Sequence, residues 1–303
     1  MSAEKLSKKM DIIRELKIKS ETQTRAPFIG VRKHRLLTDG NGVTTLAAFH
    51  GCPLSCKYCL NPQCKDDSKI WKHMTPSQLY DYVKDDDIYF QATGGGIVFG
   101  GGEPLLYPLF IKQFSEQYNP NKWKISIESS LNVNNEYLRE LLPHVDEYIV
   151  DIKDMSSRVY MSYTGENNRR VIENLKYLIT EGVSDRIIVR VPHISGFNTD
   201  EDVELSVSML QRMGINRIQE FKYVTDRRIE CRSRQSIKRG KIVCNVLKNI
   251  RTLIAEANNI EYKPEECNNT GLCAGACPKC DAELSYLTNE LYNLKNAGAA
   301  IKL

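Results

Sequence analysis

The sequence predicts an α/β protein built on a parallel sheet, and three observations lead there. Six short runs of apolar and β-branched residues recur along the chain, at 43–49, 96–99, 124–127, 147–152, 186–191 and 217–223. Helical periodicity fills the gaps at about 76–85, 108–118, 134–142, 169–181 and 200–213. At 303 residues the chain is long enough to bury a full core around such a sheet. Strands separated by helices run parallel, because each helix carries the chain back to the end where the next strand starts. The expected fold is a partial (β/α)6 barrel of the TIM type, with an N-terminal helix and a C-terminal cysteine-rich, metal-binding extension.

Each element has its own signal. Leu6, Met10, Ile13 and Leu16 recur at helical spacing, so an amphipathic helix is expected within residues 4–20. Thr75-Pro76 and Thr199-Asp200 are helix starts, and Gly182 is a stop. A long helical pattern over about 235–259 follows the last strand, then a cysteine-rich segment at 264–283, then a closing helix at about 283–297. The chain therefore divides into 1–37 (N-terminal helix and lead-in), 38–226 (core), 227–263 (basic linker and long helix) and 264–303 (cysteine-rich segment and closing helix). Segment 264–283 is too short for a hydrophobic core and is expected to need a metal to hold a shape.

Bulk composition narrows the function. Hydrophobic residues make up 41% and charged residues 26%, as in ordinary soluble proteins. No run approaches the ~20 apolar residues of a membrane span. Residues Met1 to Met10, with Glu4, Lys5, Lys8 and Lys9, lack an apolar signal core, so a cytoplasmic protein is expected. The net charge of +4 gives no reason to expect nucleic acid. Its clustering is more telling: Arg227, Arg228, Arg232, Arg234, Lys238, Arg239 and Lys241 stand against Glu230 alone. That run is either a solvated helix face or a dock for an acidic partner.

Ten cysteines are too many for routine use in a reducing compartment, where clustered thiols bind metal more often than they form disulfides. Seven fall into two groups: Cys52, Cys56, Cys59, and Cys267, Cys273, Cys277, Cys280; Cys64, Cys231 and Cys244 stand apart. The first group forms a C-x3-C-x2-C loop directly after the first predicted strand. Thiolates suit iron–sulfur clusters, and three of them can cap three irons of a cubane and leave the fourth open to a ligand. A zinc site using Cys56 and Cys59 with remote partners is the alternative, and Cys64 is a possible fourth thiolate.

The functional face of such a sheet lies at the carboxyl ends of its strands, so chemically informative residues are expected there. Gly100-Gly101-Gly102-Glu103 follows the second strand, Glu128-Ser129 follows the third, Asp151-Ile152-Lys153 ends the fourth, and Arg190 ends the fifth. Asp151 and Lys153 are two apart and face one side together.

These segments, in this order, resemble the radical S-adenosylmethionine (SAM) superfamily. The cysteine loop, with aromatic Tyr58 just before Cys59, is the part that resembles it most specifically. The resemblance implies a [4Fe–4S] cluster on Cys52, Cys56 and Cys59 whose open iron chelates the amino and carboxylate groups of SAM; this sets Cys64 aside as a ligand. It implies that Tyr58 packs near the adenine, that Gly101, Gly102 and Glu103 form the motif contacting the methionine ammonium, and that Glu128 lies near the ribose. Asp151 and Lys153 resemble the DxK motif, and Arg190 a SAM-contacting arginine. Within the superfamily, the stretch from about Thr38 to Asp226 is most similar to the activating enzymes of glycyl radical enzymes, the pyruvate formate-lyase activase group. Asp39-Gly40-Asn41-Gly42, Tyr163-Thr164-Gly165 and Ser195-Gly196-Phe197-Asn198 extend that likeness. It implies a glycyl radical enzyme as partner and a low-potential electron donor such as flavodoxin or ferredoxin. The chain departs from the group in having Val224 where a SAM-contacting histidine is expected, no ferredoxin-like insert between Cys59 and Gly100, and a C-terminal cysteine cluster.

Cys267-x5-Cys273-x3-Cys277-x2-Cys280 supplies four soft ligands, with Gly271, Gly275 and Pro278 letting the chain wrap. Four thiolates complete either a second [4Fe–4S] cluster or a zinc site; the company of the first cluster favours the auxiliary [4Fe–4S] cluster, with zinc the alternative. Cys231 and Cys244 read as ordinary thiols. The leading functional expectation is abstraction of a glycine Cα hydrogen on a partner enzyme. Modification of a peptide or small molecule is the second, and a two-site zinc scaffold without enzymatic activity the third.

Overall fold

The computed structural model describes residues 24–36, 38–121, 123–223, 234–266 and 277–303, without the side chains of 234–239. The helix expected within 4–20, most of the basic run, Val224, Cys231, Cys267 and Cys273 lie outside the described residues.

Eight strands form one sheet: β1 (Ala26–Leu36), β2 (Val43–Phe49), β3 (Lys72–Met74), β4 (Gly96–Gly101), β5 (Lys124–Ser129), β6 (Glu147–Asp151), β7 (Ile187–His193) and β8 (Ile218–Lys222), in the order β3-β1-β2-β4-β5-β6-β7-β8. The six expected strands, β2 and β4 to β8, are all present and run parallel to one another. β1 pairs antiparallel with both β2 and β3, and among the described residues β3 and β8 are the two edges, so the sheet does not close into a barrel. β1 falls in what the sequence suggested was a lead-in. Its pairing slips between Phe28 and Gly30 and again between Arg32 and Arg35, and such irregularities erase the period-two pattern by which strands are recognised.

Nine helices are described: α1 (Pro76–Val83), α2 (Asp87–Thr93), α3 (Pro108–Gln117), α4 (Asn135–Leu141), α5 (Ser157–Thr164), α6 (Arg169–Thr180), α7 (Asp200–Arg212), α8 (Arg234–Ala257) and α9 (Pro278–Asn296). Both expected threonine starts are capping boxes, with Thr75 reciprocating Gln78 and Thr199 reciprocating Asp202. Gly182, two residues past α6, has the positive φ of 77° of a helix stop. α2 (seven residues) and α5 (eight residues) were not expected. The closing helix begins at Pro278, earlier than expected. Pro278 takes the first helical position, where its missing N–H costs nothing, so it starts the helix rather than bending a metal loop.

Alternation along the parallel strands divides the sheet into two unlike faces. Ala47, Phe49, Ile97, Phe99, Ile125, Ile127, Tyr148, Val150 and Val189 share one apolar core with Leu79, Phe110, Phe114, Leu138, Leu175 and Val203 from the helices. The opposite face carries a small apolar cluster of Leu46, Ala48 and Val98, and along β5, β6 and β7 it carries Glu128, Asp151 and Arg190. Burying charges on the face away from the main helical core is costly unless they are paired, and it marks that face as the working one.

α8 and α9 form a second core. Leu247, Ile254 and Ala255 of α8 meet Leu284, Leu287 and Leu291 of α9, together with Val43, Ile88 and Tyr89. Fully buried Arg251 ties the unit together, donating to the hydroxyls of Tyr89 (2.5 Å) and Tyr262 (2.8 Å) and to Glu283 Oε2 (2.6 Å). Val43 opens β2, so these helices dock at the amino ends of the strands.

Candidate functional site

The cysteine loop leaves the carboxyl end of β2 and is pinned from three sides. Gly51 N–H donates to Cys64 O (2.7 Å), Ser55 N–H to Thr164 O (2.8 Å) and Lys57 N–H to Tyr163 O (3.1 Å). The Asn61 side chain donates to Gly101 O (2.9 Å), tying the loop to the end of β4. Cys52, Cys56 and Cys59 are all partly exposed and within electrostatic reach of one another. Their thiols are not alike. Hydrogen bonding from Cys64, aided by the backbone N–H of Asn61, lowers Cys59 to about 6, whereas burial lifts Cys56 to about 11. Cys64 is buried, bonds to both Cys52 and Cys59, and has its own pKa pushed up by those two bonds. It keeps its proton and serves its neighbours as a donor. Among the described residues no three His, Cys, Asp or Glu side chains converge on one point, as a single ion would need. A cubane instead asks each thiolate to cap a different iron.

The glycine-rich turn packs tightly under this loop. Gly101 has φ 93°, a region that disfavours side chains, and a Cβ on Gly102 would sit 2.1 Å from Gly51 O. Both glycines are thus needed for close approach of protein backbone: Gly102 N–H donates to Phe49 O (2.9 Å) and Glu103 N–H to Gly51 O (2.7 Å). Glu103 is 1% exposed. Its Oε1 accepts from Ser129 Oγ (2.7 Å) and Leu105 N (3.3 Å), and its Oε2 from Ser130 N (3.0 Å) and Ser130 Oγ (2.7 Å). Burial nevertheless outweighs these donors and raises its pKa. The carboxylate joins the end of β4 to the loop after β5, so its acceptor positions are turned to protein.

Glu128, Asp151, Lys153 and Arg190 lie together; Glu128 is within β5 rather than beyond it, and β7 continues past Arg190 to His193. Arg190 Nη1 meets Glu128 Oε1 at 2.5 Å, and its other nitrogen bonds the Thr38 carbonyl. Lys153 Nζ meets Asp151 Oδ2 at 3.0 Å and lies 5.7 Å from the Tyr223 ring. Burial opposes the charge on Lys153, but Asp151, Tyr223 and Cys56 outweigh it and hold its pKa well above the usual ammonium value. Burial, with repulsion from Asp151 and Asp39, raises Glu128 despite Arg190 and Arg35. Tyr58 edges against Phe197 (5.6 Å) and Tyr163 (6.2 Å), giving the site an aromatic wall.

The residues fit a polar, cationic ligand beside a cluster. Asp151 Oδ1 and Thr38 Oγ1 are buried and have no hydrogen-bond partner among the described residues, which is costly unless a ligand completes them. Cys52, Cys56 and Cys59 would hold the cluster, with the paired charges beside them. Sequence reasoning missed Ser129 and Ser130 as partners of Glu103, and Tyr223 beneath Lys153. A serine pair just after a strand carries no signal until its carboxylate is known.

At the C-terminal cysteines, Cys277 precedes α9 and Cys280 lies in its first turn, with their sulfurs 3.8 Å apart. Cys244 of α8, which the sequence left as an ordinary thiol, is also 3.8 Å from Cys280.

A thiol-bearing loop and a buried charged face stand together at the carboxyl ends of the parallel strands, the working end of an α/β enzyme. The family description "Radical SAM superfamily" matches residues 47–210, over half of the chain, and the chain belongs to that superfamily as a radical SAM enzyme. The family implies a [4Fe–4S] cluster and SAM. Among curated relatives, the chain is 29% identical over 214 residues to the pyruvate formate-lyase 2-activating enzyme of Escherichia coli (strain K12), covering 60% of this chain and 72% of that one. It is 24% identical over 230 residues to the isethionate sulfite-lyase activating enzyme of Desulfovibrio desulfuricans (56% and 74% covered). It is 26% identical over 236 residues to the 4-hydroxyphenylacetate decarboxylase activating enzyme of Clostridioides difficile (57% and 74% covered). No helix among the described residues is long and apolar enough to cross a membrane.

Proposed function

We propose that this chain is an activase: it takes a hydrogen atom from a glycine Cα of a partner glycyl radical enzyme. The observation that carries this reading is that relatives named as activating enzymes align over more than half of the chain. Cys52, Cys56 and Cys59 hold the cluster. Tyr58, Glu128, Asp151, Lys153 and Arg190 line the SAM site, with Gly101, Gly102 and Glu103 shaping the backbone beneath it, and SAM completes the partnerless Asp151 Oδ1. When bound, the cluster supplies the electron that splits the S–C5′ bond of SAM, giving methionine and a 5′-deoxyadenosyl radical that abstracts the hydrogen. Lys153 stays protonated and balances Asp151, so binding a cationic ligand there needs no proton movement on the lysine. The exposed positions Pro53, Ser55 and Lys57 of the cysteine loop leave the rim open to a large partner. A low-potential flavodoxin or ferredoxin is the electron source, and the core over 38–226 is the catalytic unit.

The test is anaerobic incubation of the reduced, cluster-loaded chain with SAM and a candidate glycyl radical enzyme. The expected result is a carbon-centred radical on the partner in electron paramagnetic resonance, matched by 5′-deoxyadenosine. Formation of 5′-deoxyadenosine without a radical on any candidate, together with a mass change in an added peptide, would replace this reading with peptide modification.

A further inference from the structure

We propose that Cys64 is a positioning residue whose thiol donates to the sulfurs of Cys52 and Cys59 and so raises the reduction potential of the cluster they hold. The inference rests on the cluster placement proposed above, and it gives the fourth thiol of the loop a role other than ligation. The backbone is the first reason. Cys64 lies in the 3-10 turn Pro62–Lys65. Its carbonyl accepts from the N–H of Gly51 (2.7 Å), the residue before Cys52. Its own N–H donates to the carbonyl of Asn61 (3.0 Å), just past Cys59. One residue thus ties both ends of the cysteine loop, and the Asn61 side chain anchors that tie to Gly101 O of β4 (2.9 Å).

The side chain is the second reason. Cys64 is 1% exposed, so its thiol is served by protein and not by bulk water. It hydrogen-bonds to the sulfurs of both Cys52 and Cys59. A buried thiol carries its proton at neutral pH, whereas a cysteine that ligates metal is a thiolate. Cys64 is therefore the donor, with one proton shared between two acceptors. Cys56 stands apart from this arrangement: the charges acting on it are those of Lys153 and Asp151, together with Cys52 and Cys59. The loop thus presents three ligands of two kinds, two with a thiol donor behind them and one beside the charged pair.

The chemistry of the contact assigns the role. Hydrogen bonds to the sulfurs are among the features that set the potential of an iron–sulfur cluster. A donor aimed at a thiolate gains strength as negative charge builds there, so it favours the reduced form over the oxidised one. The electron comes from the low-potential donor protein; Cys64 keeps its proton throughout and is neither oxidised nor reduced. An apolar side chain in its place would fill the space without supplying this bias, which makes the electrostatic role separable from packing.

The test is a redox titration of the anaerobically reconstituted full chain, followed by electron paramagnetic resonance, in wild type, Cys64→Ala, Cys64→Val and Cys64→Ser. Iron content is measured in each sample. Cys64→Ala and Cys64→Val are expected to keep the iron of the wild type, with reduction up to about tenfold less favourable, a shift of ~59 mV to more negative potential. Cys64→Ser restores a donor and is expected to titrate near wild type. Midpoints in Cys64→Ala and Cys64→Val equal to that of wild type would overturn the proposal and leave the thiol as packing. Loss of the iron from both of those variants would overturn it too, by making Cys64 a ligand or a prop of the loop. Failure of the underlying placement reads differently: Cys52→Ala or Cys59→Ala would then keep full SAM cleavage.

Discussion

The two thiol sites of this chain are built on opposite principles. At the carboxyl ends of the strands, a loop carries Cys52, Cys56 and Cys59, held by the Asn61 side chain to β4 and by backbone hydrogen bonds to the end of α5, with the thiols partly exposed. At the amino ends, Cys244 and Cys280 sit buried in a helix seam, 3.8 Å apart and fixed by side-chain packing. A loop on a rigid sheet leaves its thiols open to a substrate; a helix seam closes over them. Openness suits catalysis and closure suits stability, so damage at the two sites is expected to have different consequences.

The largest expected effect separates them outright. Replacing Cys52, Cys56 or Cys59 with alanine should drop 5′-deoxyadenosine formation to background while the thermal unfolding midpoint stays close to wild type. Iron analysis with a SAM-cleavage assay checks it. If the midpoint collapses instead, the loop is a structural site and the contrast fails.

Breaking the seam should do the reverse. Arg251→Ala leaves Glu283, Tyr89 and Tyr262 facing a gap, and removal of one partner of a buried pair costs roughly 3–5 kcal/mol. Denaturant unfolding should show that loss, with SAM affinity little changed.

A smaller effect is expected where the loop rests on β4. Glu103→Gln turns an amide N–H2 towards groups that now donate to a carboxylate, which costs about 1–3 kcal/mol. The pH dependence gives a signature. Because burial raises the pKa of Glu103 in the folded chain, its contribution is fully present below the ordinary carboxylate range and is lost as pH rises through the raised value. Unfolding measured against pH should show a shallower decline in Glu103→Gln than in wild type.

How much of this was legible in the sequence depends on how local each signal is. The six parallel strands, the two threonine helix starts and the cysteine loop are carried by residues close together in the chain, and all were readable. β1 was not, because its pairing slips twice. Cys244 was not either: thirty-six residues separate it from Cys280, and it reads as one more position on an amphipathic helix. Its stripe with Leu247, Arg251 and Ile254 was the available hint, since a buried arginine in that stripe already requires partners from another element. The two serines that hold Glu103 were invisible for the same reason, as their meaning lies in the β4–β5 juxtaposition.

The smallest expected effect sharpens the rim itself. Cys59 titrates at about 6 because Cys64 donates to it, and Cys56 at about 11. In the cluster-free chain, Cys59 alkylation should therefore rise as pH passes about 6, with Cys56 unreactive until far more alkaline pH. Cys64→Ala removes the donor and should move the Cys59 profile to higher pH. Mass spectrometry of labelled peptides reads both.

The central claim is that Cys52, Cys56 and Cys59 hold a cluster with an iron left for SAM. The most direct measurement is electron paramagnetic resonance of the anaerobically reconstituted, reduced chain before and after SAM is added, with 5′-deoxyadenosine measured in the same sample. The account predicts that the signal of the reduced cluster shifts on SAM addition and that 5′-deoxyadenosine forms. A signal indifferent to SAM, with no 5′-deoxyadenosine, would contradict it.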